Sequence, residues 1–160
     1  MKTKNIIVII IVAVSLTIAA IFLYPIICIS CTYPPIKNYT YNGTMSNLVS
    51  GIQNYAYTNP HIILTITDTT GAEKDNPAIY FNVEISKPNQ DILYNLECER
   101  RGFAIRKTQT EIKLIGAFNR TNTSGGYKIE DLGVKSLVTI FDSNFLSDLK
   151  KQTNISVVPN

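Results

Sequence analysis

The chain has no tryptophan, one histidine, two methionines and three cysteines in 160 residues. Each shortage removes a chemistry. A single histidine, His61, cannot supply a multi-imidazole zinc site, and no nucleophile and orienting partner stand at a recognisable spacing from it. Beyond Cys28 and Cys31 only Cys98 remains, so the C-terminal region has no thiol pair at finger spacing. Charge is also sparse, at 17%. Lys2 and Lys4 supply two of the 15 cations, leaving 13 against 12 acids in the rest of the chain. A region so nearly neutral lacks the basic surface that phosphate neutralisation requires, which argues against a nucleic-acid partner. Gly125-Gly126 is an isolated pair rather than a phosphate cradle. No cofactor, no metal and no catalytic set is expected.

What the chain does have is one long apolar run. Residues 5–30 carry no charge, and residues 6–23 are almost unbroken Ile, Val, Ala, Leu and Phe. At about 1.5 Å per residue, about eighteen helical residues approach the thickness of a bilayer's hydrocarbon core. Lys2 and Lys4 precede the run and only Lys37 follows closely, so the positive-inside rule places the N-terminus in the cytoplasm. The expected division is an anchor or signal over residues 1–30, a Pro-stiffened tether over 31–43, and an exported domain over 44–160.

Three fates compete for the leader. A retained signal anchor fits a run longer than a cleavable h-region, whereas a cleaved secretory peptide needs small residues at its cut site. The third is suggested by Ile27-Cys28-Ile29-Ser30-Cys31, which resembles the bacterial lipobox and makes Cys31 the candidate lipidation site. In the lipobox pattern Leu is preferred where Cys28 stands. The Cys28-x-x-Cys31 spacing is also that of a redox pair, but such pairs open a helix beside a βαβ unit, whereas Pro34-Pro35 follows here.

Beyond the tether, Thr44 is a good N-cap for a helix in which Met45, Leu48, Val49, Ile52, Tyr55 and Ala56 recur at helical spacing until Asn59-Pro60. Residues 61–68, 79–85, 91–100 and 111–119 alternate as half-buried strands. A second helix is expected from about Leu132 to Lys151, with Leu137, Val138, Phe141, Phe145 and Leu149 as its stripe. Glu130-Asp131 and Lys150-Lys151 complement its dipole. The tail, 153–160, is a short edge strand or frays. Short strand connections imply an antiparallel sheet of about four strands with two helices on one face, an α+β domain.

Few residues in that domain suggest chemistry. Cys98 alternates with Tyr94 and Leu96 and reads as a small buried hydrophobe. Glu97 and Glu99 share a strand face, with Arg100 and Arg101 adjacent as surface partners. Arg100, Arg101, Arg106 and Lys107 form the one basic cluster, a candidate for binding a partner or lipid headgroup. Five N-x-S/T sites, at Asn38, Asn42, Asn119, Asn122 and Asn154, fall in expected loops or tether and become glycan acceptors if this is a viral or eukaryotic single-pass protein.

With a Lys-containing start, an apolar span ending near Cys31, a short tether and one α+β domain, the layout resembles small bacterial membrane-anchored or lipoprotein-type proteins. That resemblance implies an envelope location and no activity. The expected role is a non-catalytic binding or accessory domain, such as an envelope-assembly component or an immunity-type inhibitor, with the membrane and an envelope protein as partners. The competing idea is a small envelope hydrolase using Glu97, Glu99 or His61, which requires those residues to converge.

Overall fold

A computed structural model of the chain describes residues 34–68, 78–101 and 109–160. The chain divides into two units, Met1–Tyr33 and Pro34–Asn160, and the described residues belong to the second. The expected anchor, Cys31, Arg106 and Lys107 lie outside them. Among the described residues no helix is long and apolar enough to cross a membrane.

In chain order the elements are β1 (Lys37–Tyr41), α1 (Met45–Thr58), β2 (Ile62–Asp68), β3 (Ala78–Lys87), β4 (Gln90–Arg101), β5 (Gln109–Asn119) and β6 (Ser124–Gly126). There follow α2 (Val134–Ile140), a π-helical segment (Phe141–Leu146), α3 (Ser147–Thr153) and β7 (Val157–Pro159). The strands make one sheet in the order β2-β3-β4-β5-β1-β7, with β6 paired to β5. Every pairing is antiparallel. The α+β class and the antiparallel sheet agree with the sequence reading, but the described residues hold seven strands rather than about four.

The largest departure concerns residues 31–43. Within that expected tether, Lys37–Tyr41 forms β1, held between β5 and β7. Its alternation supplies the reason: Lys37, Tyr39 and Tyr41 project to the helix side and Asn38 and Thr40 to the other, the period a strand requires. Tyr39 is completely buried. Two glycan candidates move accordingly, since Asn38 lies in β1 rather than in a tether and Asn119 ends β5, paired with Ile92 and Ser124, rather than lying in a loop.

Local chemistry sets the helix ends. The Thr44 hydroxyl accepts from the Asn47 amide at 3.1 Å, an N-cap typically worth about 1 kcal/mol. At the other end of α1 the Asn59 side chain donates to the Tyr55 carbonyl at 2.8 Å before Pro60 ends the run. The second helical rod begins later than its hydropathy suggests. Leu132 is exposed, Gly133 takes a left-handed φ of 83°, and α2 starts at Val134. Asp131 does not sit in the first helical turn; its Oδ2 accepts from the amides of Tyr127 and Lys128, both at 3.0 Å, and so closes the turn before the helix.

Both helices cover the same face of the sheet. Phe81, Val83, Ile85, Ile92, Tyr94, Leu96, Cys98, Ile112 and Leu114 point toward them from β3, β4 and β5 and are buried. Phe141 lies 5.6 Å from the Tyr39 ring and 4.8 Å from Tyr94, centroid to centroid. Phe145 stacks on Phe141 at 5.1 Å and meets Tyr55 of α1 edge-on at 5.8 Å. Each such aromatic contact adds about 0.5–1.5 kcal/mol beyond area burial. The π-helical segment lies where these rings converge, and its Asp142 accepts from Lys37 Nζ and Tyr39 Oη at the margin of the core.

Candidate functional site

With the helices on one side, no described helix covers the other face of the sheet, and the strand registers define its rows. One row runs Tyr80–Glu97–Lys113–Asn38 across β3, β4, β5 and β1. Another runs Ile63–Glu84–Leu93–Phe118–Gly125 across β2, β3, β4, β5 and β6. Glu97 and Leu93 are four residues apart on β4, so the two rows are separated by about 13 Å. Between them lies Thr65–Asn82–Asn95–Gly116.

The first row is charged and tightly paired. Lys113 Nζ reaches Glu97 Oε1 at 3.2 Å and Glu99 Oε2 at 2.8 Å. Burial pushes the Glu97 carboxyl up, assisted by its hydrogen bond to Glu99 and opposed by Lys113. Glu99 moves the other way, lowered by hydrogen bonds from Glu97 and Lys113. For Lys113 burial acts downward, but the two carboxylates together hold its pKa above the usual lysine value. Burial, then the nearby Glu97 charge, raises the Tyr80 phenol. The result is a pair of carboxylates with opposed shifts, both reached by one ammonium.

The second row is apolar at its centre. Leu93 and Phe118 are half-buried neighbours, and Tyr127 meets Phe118 edge-on at 5.1 Å while remaining about half exposed. Glu84 at the side pairs with Arg120 at 3.0 Å. The face carries one further feature: Oδ1 of Asn38 and Oδ1 of Asn95 are buried and find no hydrogen-bond partner among the described residues. A buried acceptor left unpaired costs about 1–3 kcal/mol.

The sequence candidates are distributed over several places. Glu97 and Glu99 do share a face, and Lys113 on β5 reaches both. Arg100 is exposed near the end of β4, opposite Thr110, and Arg101 pairs with Gln109 as the last residue of the strand. His61 is exposed at the start of β2, where its carbonyl accepts from Ser86. Tyr80, beside Glu97, is six residues from Ser86 along β3, which separates the imidazole from the carboxylates by about 20 Å. Cys98 faces the helices, is fully buried, and has a thiol pKa raised by that burial. Histidine, thiol and carboxylates therefore do not converge. Among the described residues no group of three His, Cys, Asp or Glu side chains is arranged to hold a metal ion.

Lys113 is the residue that sequence reading passed over, and Tyr39, which with Tyr33 and Tyr41 reads as an aromatic ladder of the tether, is a buried residue of β1. The signal for Lys113 was its position as the lone cation in an alternating strand, at the parity opposite Ile112 and Leu114. The chain matches no family model, no curated protein and no solved structure.

Proposed function

We propose that the chain is a membrane-tethered envelope protein whose C-terminal domain, on the periplasmic or extracellular side, is a non-catalytic binding or accessory module. Its helix-free sheet face docks a protein partner in the envelope, as an assembly component or an immunity-type inhibitor does. The single observation that carries this reading is the pairing, on one face, of an apolar centre at Leu93 and Phe118 with the Lys113-clamped carboxylates about 13 Å away. Apolar contact supplies affinity and the charged row supplies orientation. Separation of His61 from Glu97 and Glu99 weighs against hydrolysis by that set.

The test is site-specific photo-crosslinking of the full chain in its native host. A crosslinker at Leu93 or Phe118 is expected to give a discrete adduct, and one at the exposed Lys135 on α2 none. Equal labelling at all three positions, or none anywhere, overturns the docking face. Tethering is read separately by intact mass of the membrane fraction, wild type beside Cys31→Ala. Acyl mass that disappears in the variant identifies Cys31 as the anchor; an unprocessed N-terminus in both identifies a retained span.

A further inference from the structure

The two edges of the sheet are built differently. β7, at one edge, has three residues and ends in Pro159, which has no amide hydrogen to donate. That edge is blunt. β2, at the other, has seven residues, and nothing among the described residues pairs with its outer side. Native edges are ordinarily guarded by lysine, proline or an inward charge. From Ile62 to Thr67 β2 has none of these, and its composition is Ile, Leu and Thr. Its one irregularity, a bulge between Ile66 and Asp68, lies at the strand's end. Two of its isoleucines, Ile63 and Ile66, are 51% and 42% exposed.

We propose that this edge pairs with β2 of a second copy of the chain, antiparallel about a local two-fold axis. Charge argues for this occupant. A basic or acidic strand finds no complement along residues 62–67, whereas an identical strand brings no like charges together. The apolar parity argues for one register. Ile62, Leu64 and Ile66 share the helix side, since they pair with Ile85, Val83 and Phe81. A dyad perpendicular to the sheet through Leu64 keeps that side common to both copies. Leu64 then faces its own counterpart, Ile62 faces Ile66 of the second copy, and Ile63 faces Thr65 on the opposite side. A slip of one residue sets the apolar side of one strand against the polar side of the other. The pairing covers Ile66, which the chain's own helices leave open, and joins two sheets into one with the helices on a single side.

The experiment uses the full chain, purified in mild detergent, with mass measured by light scattering and folding checked by circular dichroism. Wild type is expected to contain two chains per particle. Ile63→Lys with Thr65→Lys places two lysines opposite each other at both Ile63–Thr65 contacts and raises the dissociation constant at least about tenfold. Ile63→Lys with Thr65→Glu converts the same contacts to opposite charges and restores the dimer. A wild-type monomer at the highest accessible concentration overturns the proposal. So does a folded double-lysine variant that stays dimeric. A lysine–glutamate variant that remains monomeric overturns the register.

Discussion

The Tyr39 hydroxyl donates to Oδ1 of Asp142 at 2.8 Å, joining residues 103 positions apart. The bond ties a strand from one end of the domain to the π-helical segment near the other. Asp142 also receives Lys37, two residues before Tyr39 on the same side of β1. Burial and the Asp142 charge hold the Tyr39 phenol well above its usual pKa, so it remains a donor throughout the accessible range. The π-helical segment thus carries the acceptor for β1.

Tyr39→Phe is expected to cost about 1–1.5 kcal/mol, the worth of a hydrogen bond to a charged acceptor that is only partly buried. A double-mutant cycle with Asp142→Asn, read by urea denaturation, should return a coupling of about 1 kcal/mol. Additive effects would mean that the phenol is held by ring packing alone.

Lys113 bridges two carboxylates on a half-buried sheet face. Lys113→Met should destabilise the domain by about 2 kcal/mol, because Glu97 and Glu99 then face each other without a cation. Adding Glu97→Gln and Glu99→Gln should recover most of that loss. Without recovery, the lysine acts through packing of its methylene stem.

The pH dependence has a defined sign. Because burial raises the Glu97 pKa in the folded state, its contribution is fully present below the unfolded value and is lost as pH rises through the folded value. Glu99, whose pKa is lowered, behaves oppositely: its contribution is present above the unfolded value and is lost as pH falls through the folded one. Thermal melts of Glu97→Gln beside wild type should therefore show wild type losing ground as pH rises from acid to neutral. For Glu99→Gln the trend should reverse. Parallel pH profiles in all three proteins would rule out the opposed shifts of the two carboxylates.

Much of the fold could be read from residue spacing. The alternation of Ile62–Leu64, of Phe81–Val83–Ile85 and of Ile92–Tyr94–Leu96–Cys98 is clean because each strand buries one face against helices. Likewise α1 announces itself through Thr44 and the Leu48–Ile52–Tyr55 stripe. β1 was harder, since Lys37–Tyr41 carries a lysine, two tyrosines and two polar residues beside a Pro-Pro pair. What makes it a strand is pairing with β5, some seventy residues away. Lys113 posed the same difficulty. Arg100 and Arg101 are adjacent to Glu97 and Glu99 in sequence, but only the β4–β5 register reveals that Lys113 lies across from them. That no described helix covers this face is a property of topology, and composition carries no mark of it.

Because β1 is gripped on both sides, the way the domain enters its sheet has a mechanical meaning. Five residues separate Cys31 from Lys37, a reach of at most about 20 Å between those two Cα atoms. Any tension transmitted from upstream therefore arrives at a strand bonded to two neighbours, β5 and β7, rather than at a peripheral one. Pulled along its length, such a strand resists by shear, with the ladder bonds on both sides loaded together instead of opening one after another. Under the proposed tethering, that arrangement makes β1 the part of the domain that bears the load.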